Sequence, residues 1–338
     1  MIKANNPKIL SLQVFRGLAA LAVIFFHCAQ RGDIQSPLLQ IPLLGYLGVD
    51  FFFVLSGFII MYAHLKDPHT FAATKKYILK RVTRIYPAYL PIGLAVYFLA
   101  ASSGPAHASF LSTLFLIPAN KPVALPQAWT LVHEMMFYCI FLLFFISWRF
   151  LLSGLLVWAA VICISTFSYR PMGWLLPPLS WINLEFMLGV GAAGLFHFYH
   201  QQLAFHKGKI TILGMFTFMI LLSVLVGRTN GVIALRLMFA CSLVFLIIGF
   251  ALYEYDGKIH WPKPLLLIGN ASYSLYLIHF SVIAITFKIL SHYQARFATM
   301  FISGFALSLV VGLLYYFTVE RPFIYLAQKY FKRNTPCH

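Results

Sequence analysis

Charged residues are scarce in this sequence, and acidic residues are the scarcest. Only 10% of the 338 residues are Asp, Glu, Lys or Arg, and only eight are acidic, whereas an ordinary soluble domain is about 25% charged. Hydrophobic residues make up 61% of the chain. Because a soluble fold could not bury that much apolar surface, the composition excludes a soluble protein and indicates an integral membrane protein.

Cysteine is scarce too. The five cysteines are scattered and show neither a CxxC pair nor the spacing of a zinc site. We therefore expect neither a disulfide framework nor a bound metal. A cleavable signal peptide is not expected either, because Arg16 interrupts the first apolar segment and no small-x-small cleavage site follows it.

Long apolar segments, in contrast, recur from residue 9 almost to the C-terminus, many of them near the twenty or so residues that cross a bilayer. They predict an all-α, polytopic membrane protein with about ten transmembrane helices. The predicted spans are residues 9–30, 46–65, 85–102, 127–147, 150–169, 179–199, 210–227, 231–252, 267–290 and 298–319. We expect one membrane-embedded domain over residues 1–338, with its core in 9–320 and a short basic cytoplasmic tail in 321–338.

Three connecting stretches are long, at residues 31–45, 66–84 and 103–126, and long loops in a compact membrane fold are functional candidates. The apolar stretch 110–117 inside the third is too short to span and is expected to be interfacial or re-entrant. In the sixth predicted span, small residues at close spacing predict tight helix packing. They are Gly189, Gly191 and Gly194.

The net charge of +17 is explained by topology. With a cytoplasmic N-terminus, seventeen Lys and Arg residues lie on the cytoplasmic side and five outside. The five outside are Arg31, Lys121, Arg170, Arg228 and Arg296. This asymmetry follows the positive-inside rule, so we expect both termini in the cytoplasm. Orientation and anionic membrane lipid account for the basic excess, and no nucleic-acid partner is expected.

Ionisable residues within hydrocarbon are costly, so each is a functional candidate. Arg16 and His27 are eleven residues apart in the first span. At 100° per residue they share one helix face, with about 16 Å of rise between them. Asp50 and Glu134 lie at a predicted depth similar to that of His27, and we expect the three to meet in one polar cavity.

A carboxylate beside an imidazole fixes its tautomer and raises its basicity, which suits a general base that acts on a hydroxyl. The alternative is a histidine satisfied by packing and carboxylates that pair for stability. Glu185 and Arg236 are expected to pair with each other or with a loop, and Glu320 is expected to pair with Arg321.

Arg81 and Arg84 form an R-x-x-R at the cytoplasmic start of the third predicted span. Residues three apart are neighbours on a helix, and two guanidinium groups on one face suit phosphate groups. From charge alone, the alternative is a plain anchor that contacts lipid phosphate.

Six short motifs follow one another along nearly the whole chain. They are RGLAALAVIFFH, GVDFFFVLSGF, RVTRIYP, WTLVHEMMFY, SYSLYLIH and ERPF. In this order the pattern resembles the acyltransferase-3 family of membrane acyltransferases, which includes many bacterial carbohydrate O-acetyltransferases. One departure is that His133 and Met135 flank Glu134 where relatives often have a second acidic residue, so the resemblance does not extend to a carboxylate pair that shares a proton.

The resemblance implies a cytoplasmic acyl-CoA donor, commonly acetyl-CoA, and an acceptor hydroxyl on a cell-surface glycan or glycolipid. It implies residence in the bacterial cytoplasmic (inner) membrane. The expected catalytic residues are His27, Glu134 and Asp50. The expected donor-binding residues are Arg16, Arg81, Arg84 and Ser56. Further candidates for the cavity are Trp129, Tyr138, Tyr276 and His279.

His27 is expected either to take the acceptor's proton or to carry the acyl group covalently. Two rival functions remain open. A transporter or flippase of a polar glycolipid would also need polar residues in the membrane, but it predicts repeats and broken helices that the sequence does not show. A different membrane acyltransferase fold would use His279 as its catalytic histidine.

Overall fold

The computed structural model describes residues 8–32, 40–101, 108–168, 173–226, 233–257 and 259–333, and within these ranges its regular structure is entirely helical. The longer helices are α1 (Leu10–Ala29), α3 (Leu47–His64), α4 (Phe71–Ala101), α6 (Trp129–Phe141), α7 (Trp148–Ser168), α9 (Asn183–Ala204), α10 (Lys207–Leu225), α11 (Ile233–Tyr255), α12 (Lys263–His292), α13 (Phe297–Tyr315) and α14 (Arg321–Arg333). The short ones are α2 (Gln40–Leu43), α5 (Phe110–Phe115) and α8 (Leu176–Leu179).

Nine helical stretches of the described residues are long and apolar enough to cross a membrane. They confirm the predicted all-α, polytopic fold and match nine of the ten predicted spans. The remaining predicted span, 179–199, coincides with α9, which is 22 residues long but less apolar. Its Asn183 and Glu185 are fully buried because α9 packs along α3. Partners inside the protein therefore allow this helix to carry polar groups.

Two helices are longer than the sequence predicted. The basic stretch 66–84 was expected to connect two spans, but α4 begins at Phe71 and runs through it for 31 residues. The expected tail is helical as α14, joined to α13 by a π-helical segment, Tyr316–Glu320. Lys, Arg, Ala and Leu are all good helix formers, so neither segment has a reason to end at the membrane surface.

The predicted cytoplasmic location of both termini falls on residues 1–7 and 334–338, which lie outside the described residues. Parts of the two long predicted loops at 31–45 and 103–126 also lie outside them, at 33–39 and 103–107. The apolar stretch in the second loop forms the six-residue helix α5, which is too short to span a bilayer.

Contacts divide the chain into two compact units, and the predicted single domain stays a prediction. The first unit comprises residues 1–66, 181–273 and 285–305. Its helices pack through glycines that let backbones touch. A Cβ atom on Gly57 of α3 would collide with the carbonyl oxygen of Phe186 on α9, and one on Gly189 would collide with that of Val54. A Cβ on Gly17 of α1 would lie 2.8 Å from the backbone nitrogen of Gly269 on α12.

The second unit comprises residues 67–180, 274–284 and 306–338. An aromatic core joins the start of α4 to the end of α6: the ring of Tyr77 lies 5.6 Å from that of Phe141 and 5.2 Å from that of Phe145. Two tyrosines of α4, the buried Tyr89 and the half-buried Tyr86, hold the segment that follows it. Tyr89 donates a hydrogen bond to the carbonyl of Thr113 (2.8 Å), and Tyr86 donates one to that of Phe115 (2.9 Å).

Candidate active site

Helix α1 is anchored at its N-terminus by an acidic side chain from α11. The carboxylate of Glu254 accepts hydrogen bonds from the backbone N–H groups of Leu10 and Ser11 and from the Ser11 hydroxyl (2.5 Å). The first N–H groups of a helix have no partner within it, and a negative charge there is favoured by the helix dipole. Glu254 therefore fixes the start of the helix that carries Arg16 and His27.

Arg16 and His27 are both half-buried, eleven residues apart along α1. The polar neighbours that act on the His27 imidazole include the side chain of Gln30 and the guanidinium of Arg31, and the ring of Phe26 lies 4.9 Å away. These groups come from the end of α1 itself. The expected carboxylate beside this imidazole stays a prediction.

Asp50 lies in a buried ion pair. Both oxygens of its fully buried carboxylate accept hydrogen bonds from Arg236 of α11, from Nε to Oδ1 at 2.9 Å and from Nη2 to Oδ2 at 2.8 Å. The guanidinium also lies over the rings of Tyr46 (5.3 Å) and Trp181 (4.6 Å), and the fully buried Glu185 is beside it. The expected pairing of Arg236 with Glu185 or a loop is thus corrected, because the N–H groups on Nε and Nη2 both donate to Asp50.

Arg81 and Glu134 meet at a pair of tyrosines in the second unit. The Arg81 guanidinium lies over the rings of Tyr77 (5.5 Å) and Tyr138 (5.2 Å), and the Tyr138 hydroxyl donates to the Glu134 carboxylate one turn earlier on α6. The Tyr77 hydroxyl donates to the Tyr138 carbonyl at 3.1 Å. Three predicted site residues, Arg81, Glu134 and Tyr138, are therefore brought together.

Arg84 points to a different carboxylate. Its Nη1 lies 3.7 Å from Oε1 of Glu320, whose side chain is 1% exposed, whereas that of Arg84 is 31% exposed. The other oxygen of Glu320 accepts from the Ser274 hydroxyl (2.6 Å) and backbone N–H (3.2 Å). The expected pairing of Glu320 with Arg321 is wrong.

The π-helical turn explains the position of Glu320. Pro322 has no N–H to donate to the carbonyl of Thr318, and its ring clashes with that carbonyl in a regular α-helix. The helix widens over Tyr316–Glu320, and Glu320 is buried while Arg321 stays exposed. Pro322 is the sequence signal that could have predicted this bulge.

The side chains of Tyr276 and His279 on α12 are buried, and both form hydrogen bonds. The Tyr276 hydroxyl donates to the carbonyl of Gln127 (3.1 Å) and is hydrogen-bonded to the Thr130 hydroxyl (3.0 Å). The buried His279 has Nδ1 2.7 Å from the carbonyl of Tyr276. The Gln127 side chain donates to the carbonyl of Leu277. These bonds fasten α12 to the start of α6.

Two other predicted residues lie at helix surfaces. Ser56 is half-buried on α3, next to the glycine at which α3 meets α9. Trp129, the first residue of α6, is 43% exposed, and its ring stands edge-on to that of His133 at 5.5 Å.

The predicted site residues thus fall in both units. Arg16, His27, Asp50 and Ser56 belong to the first, and Arg81, Arg84, Trp129, Glu134, Tyr138, Tyr276 and His279 belong to the second. The expected shared cavity of His27, Asp50 and Glu134 stays a prediction.

A family model described as an acyltransferase domain matches residues 9–317 of the chain. The exopolysaccharide production protein ExoZ of Rhizobium meliloti is 31% identical over 336 residues, which cover 89% of this chain and 94% of that protein. The acyltransferase MdmB of Streptomyces mycarofaciens is 27% identical over 373 residues, covering 94% and 92%. A putative acetyltransferase, ORF330 of Acidianus two-tailed virus, is 33% identical over 139 residues, covering 40% and 39%. No solved structure matches the chain.

Proposed function

Because the chain belongs to the acyltransferase-3 family, we propose that it is a membrane O-acyltransferase that transfers an acyl group from cytoplasmic acyl-CoA to a hydroxyl of a cell-surface glycan or glycolipid. The family match confirms the resemblance and the prediction of an acyltransferase. The acetyl group, the acyl-CoA donor, the glycan acceptor and the bacterial inner membrane belong to the proposal.

The proposal rests on the two ionisable side chains of helix α1. The helix holds a half-buried Arg16 and a half-buried His27 on one face of an apolar span, inside a chain matched by an acyltransferase model from residue 9 to residue 317. A basic side chain and an imidazole are costly at that depth, and a packing role would be filled as well by apolar residues.

The donor is proposed from the charge on α4. Lys75, Lys76 and Lys80 are exposed along its first turns, and Arg84 is partly exposed one turn further on. Acyl-CoA carries several phosphates, and clustered ammonium and guanidinium groups attract them. Arg81, enclosed by two tyrosine rings and close to Glu134, is better suited to positioning its neighbours than to reaching the solvent.

In the proposed reaction the unprotonated nitrogen of His27 accepts the proton of the acceptor hydroxyl. The oxygen attacks the thioester carbonyl carbon, the C–O bond forms, and the C–S bond breaks. The thiolate of CoA leaves and takes the proton from the imidazolium, so the products are an ester and free CoA. In the covalent variant, the unprotonated imidazole nitrogen attacks the thioester carbonyl carbon, the C–S bond breaks, and the CoA thiolate leaves with the proton of the other ring nitrogen. The acceptor oxygen then forms the ester as the acyl C–N bond breaks, and the imidazole takes the hydroxyl proton.

The acceptor is proposed from the relatives. ExoZ is named for exopolysaccharide production and is matched over almost its entire length, so a hydroxyl of an extracellular polysaccharide or of its lipid-linked precursor is the first substrate class to test.

The test compares His27→Ala with His206→Ala, since His206 is an exposed histidine between α9 and α10. Each variant is expressed in a parent strain that lacks the protein, and the surface polysaccharide is examined for ester groups by NMR. We expect esters with His206→Ala and a loss of at least about a hundredfold with His27→Ala, the usual contribution of a general base. Wild-type ester content in the His27→Ala strain would overturn the proposed role of His27.

A donor-only incubation separates the two routes. Purified protein is mixed with acetyl-CoA, and the peptide that contains His27 is analysed by mass spectrometry. An acetylated imidazole indicates the covalent route, and its absence alongside full transfer activity indicates direct transfer.

A further inference from the structure

The second unit contains a cavity of about 670 Å³ that the proposed donor and catalytic residues do not use. It lies between the C-terminal end of α4, the loop 117–126, the start of α6 and the segment around α8. Its lining includes Tyr97, Asn120, Lys121, Trp129, His133 and Gly173. Ligand sites usually measure about 300–1,000 Å³ and have mainly apolar walls with a few polar groups, as this cavity does.

The walls are held in place by hydrogen bonds. The backbone N–H of Ser109 donates to the carbonyl of Pro122 (2.9 Å), and that of Ala124 donates to the Thr113 hydroxyl (3.0 Å). The Ser112 hydroxyl donates to the carbonyl of Ile117 (2.6 Å). This loop is therefore a fixed wall, and the cavity is preformed.

Asn120 is positioned by a glycine across the cavity. Gly173 has φ of +59°, and a Cβ atom there would lie 2.5 Å from the Asn120 Oδ1. Glycine is suited to this left-handed conformation, and its missing side chain leaves the room that the amide occupies. Gly173 thus provides both the backbone turn and the space that the Asn120 amide occupies.

The cavity and the basic residues lie at opposite ends of α4. Lys75 is near the start of the helix and Tyr97 near its end, and the 22 residues between them correspond to about 33 Å of rise, close to the thickness of a hydrocarbon core. A ligand with several phosphates is attracted to the basic end. The cavity at the opposite end of α4 is therefore available to the acceptor.

The lining chemistry suits a sugar. Among the described residues that line the cavity none is acidic, and Lys121 is the basic one. Trp129 exposes 43% of its surface, and its ring is perpendicular to that of His133 at 5.5 Å. The axial C–H face of a pyranose is apolar and rests on an aromatic ring, whereas its hydroxyls need donors and acceptors such as the Asn120 amide and an imidazole.

We propose that this cavity binds one sugar ring of the acceptor, with the ring face against Trp129 and hydroxyls directed to Asn120 and His133. The inference rests on the proposed function, because it assigns a place to the acceptor of that reaction.

The experiment uses full-length protein in nanodiscs, radiolabelled acetyl-CoA and, as acceptor probe, oligosaccharides cut from the de-esterified surface polysaccharide of the parent cell. Trp129→Ala is compared with Trp148→Ala, since Trp148 is equally exposed (44%), belongs to the same unit and does not line the cavity. We expect Trp129→Ala to raise the KM for the oligosaccharide about tenfold and to leave the KM for acetyl-CoA unchanged, as expected for the loss of one stacking contact. Trp148→Ala is expected to change neither, and Trp129→Phe to restore most of the affinity.

A second cavity variant tests the same proposal. Asn120→Ala, at an exposed position where misfolding is not a concern, is expected to raise the same KM severalfold. Unchanged KM values for the oligosaccharide in both cavity variants would overturn the cavity proposal while leaving the function intact. A rise in the KM for acetyl-CoA alone would assign the cavity to the donor and also overturn it. If the wild-type protein transfers nothing to the oligosaccharide, the proposed function itself fails.

Discussion

At the scale of single residues, the ion pair between Asp50 and Arg236 ties α3 to α11 through two parallel hydrogen bonds. Asp50 is fully buried and Arg236 is 19% exposed. A pair of this kind is not a large net gain, because both charges were desolvated to form it, but losing one partner leaves the other charge buried without compensation. The pair is therefore sensitive to any change in either member.

We predict that Asp50→Asn lowers the free energy of unfolding by about 3–5 kcal/mol, since the Arg236 charge is then left unpaired. Asp256→Asn is the matched control. It removes the partner of Lys207 in a pair whose carboxylate is 31% exposed, and we expect a loss of at most about 1 kcal/mol. Thermal unfolding in detergent, followed by tryptophan fluorescence, compares the stabilities of the two variants. Equal effects of the two variants would contradict the prediction.

The sequence could predict which residue types carry this arrangement but not which of them pair. Asp50, Glu185 and Arg236 were recognisable as functional or structural candidates because charges in hydrocarbon are rare. Helical periodicity gives the face on which each side chain lies, but it does not give the neighbouring helix. For the same reason Glu320 was paired with Arg321, its neighbour in sequence, although Arg84 lies next to it in the structure.

At the scale of secondary-structure elements, the contact between α3 and α9 depends on individual glycines. The sequence predicted close packing at Gly189, Gly191 and Gly194, but only Gly189 meets a neighbouring helix, and a Cβ at the other two would have nothing within 4 Å. Small-residue spacing indicates that a helix can pack closely. The rotation of the helix against its partner then decides which glycine is needed.

Gly189→Ala and Gly191→Ala therefore form a matched pair two residues apart on one helix. We predict that Gly189→Ala destabilises the protein by about 2 kcal/mol or more, because the new methyl group collides with the backbone of α3, which cannot move away as a flexible side chain would. Gly191→Ala is expected to be neutral or to stabilise by up to about 1 kcal/mol through helix propensity. Thermal unfolding midpoints of the two purified variants provide the comparison, and a larger loss with Gly191→Ala would refute the packing described here.

At the scale of the whole molecule, apolar length alone was enough to predict the class and almost every span, because the bilayer imposes one length on all helices that cross it. Hydropathy missed the full extent of the helices where they continue into charged sequence, as α4 and α14 do. It was also weakest at α9, where burial against α3 replaces contact with lipid. The ion pairs of Asp50 with Arg236 and of Arg84 with Glu320 needed the structure, since each joins residues far apart in sequence.

The orientation of the chain in the membrane decides on which side the donor and the acceptor are bound. The distribution of Lys and Arg predicts that Lys75 and Lys209 face the cytoplasm and Lys121 the opposite side. Each is replaced by cysteine in a background whose five natural cysteines are changed to alanine. In intact cells, a membrane-impermeant maleimide is expected to label only Lys121→Cys, and after permeabilisation it is expected to label all three. The reverse pattern would place the basic start of α4 away from the cytoplasm, where acyl-CoA is made, and would remove the electrostatic argument for the donor side along with the orientation.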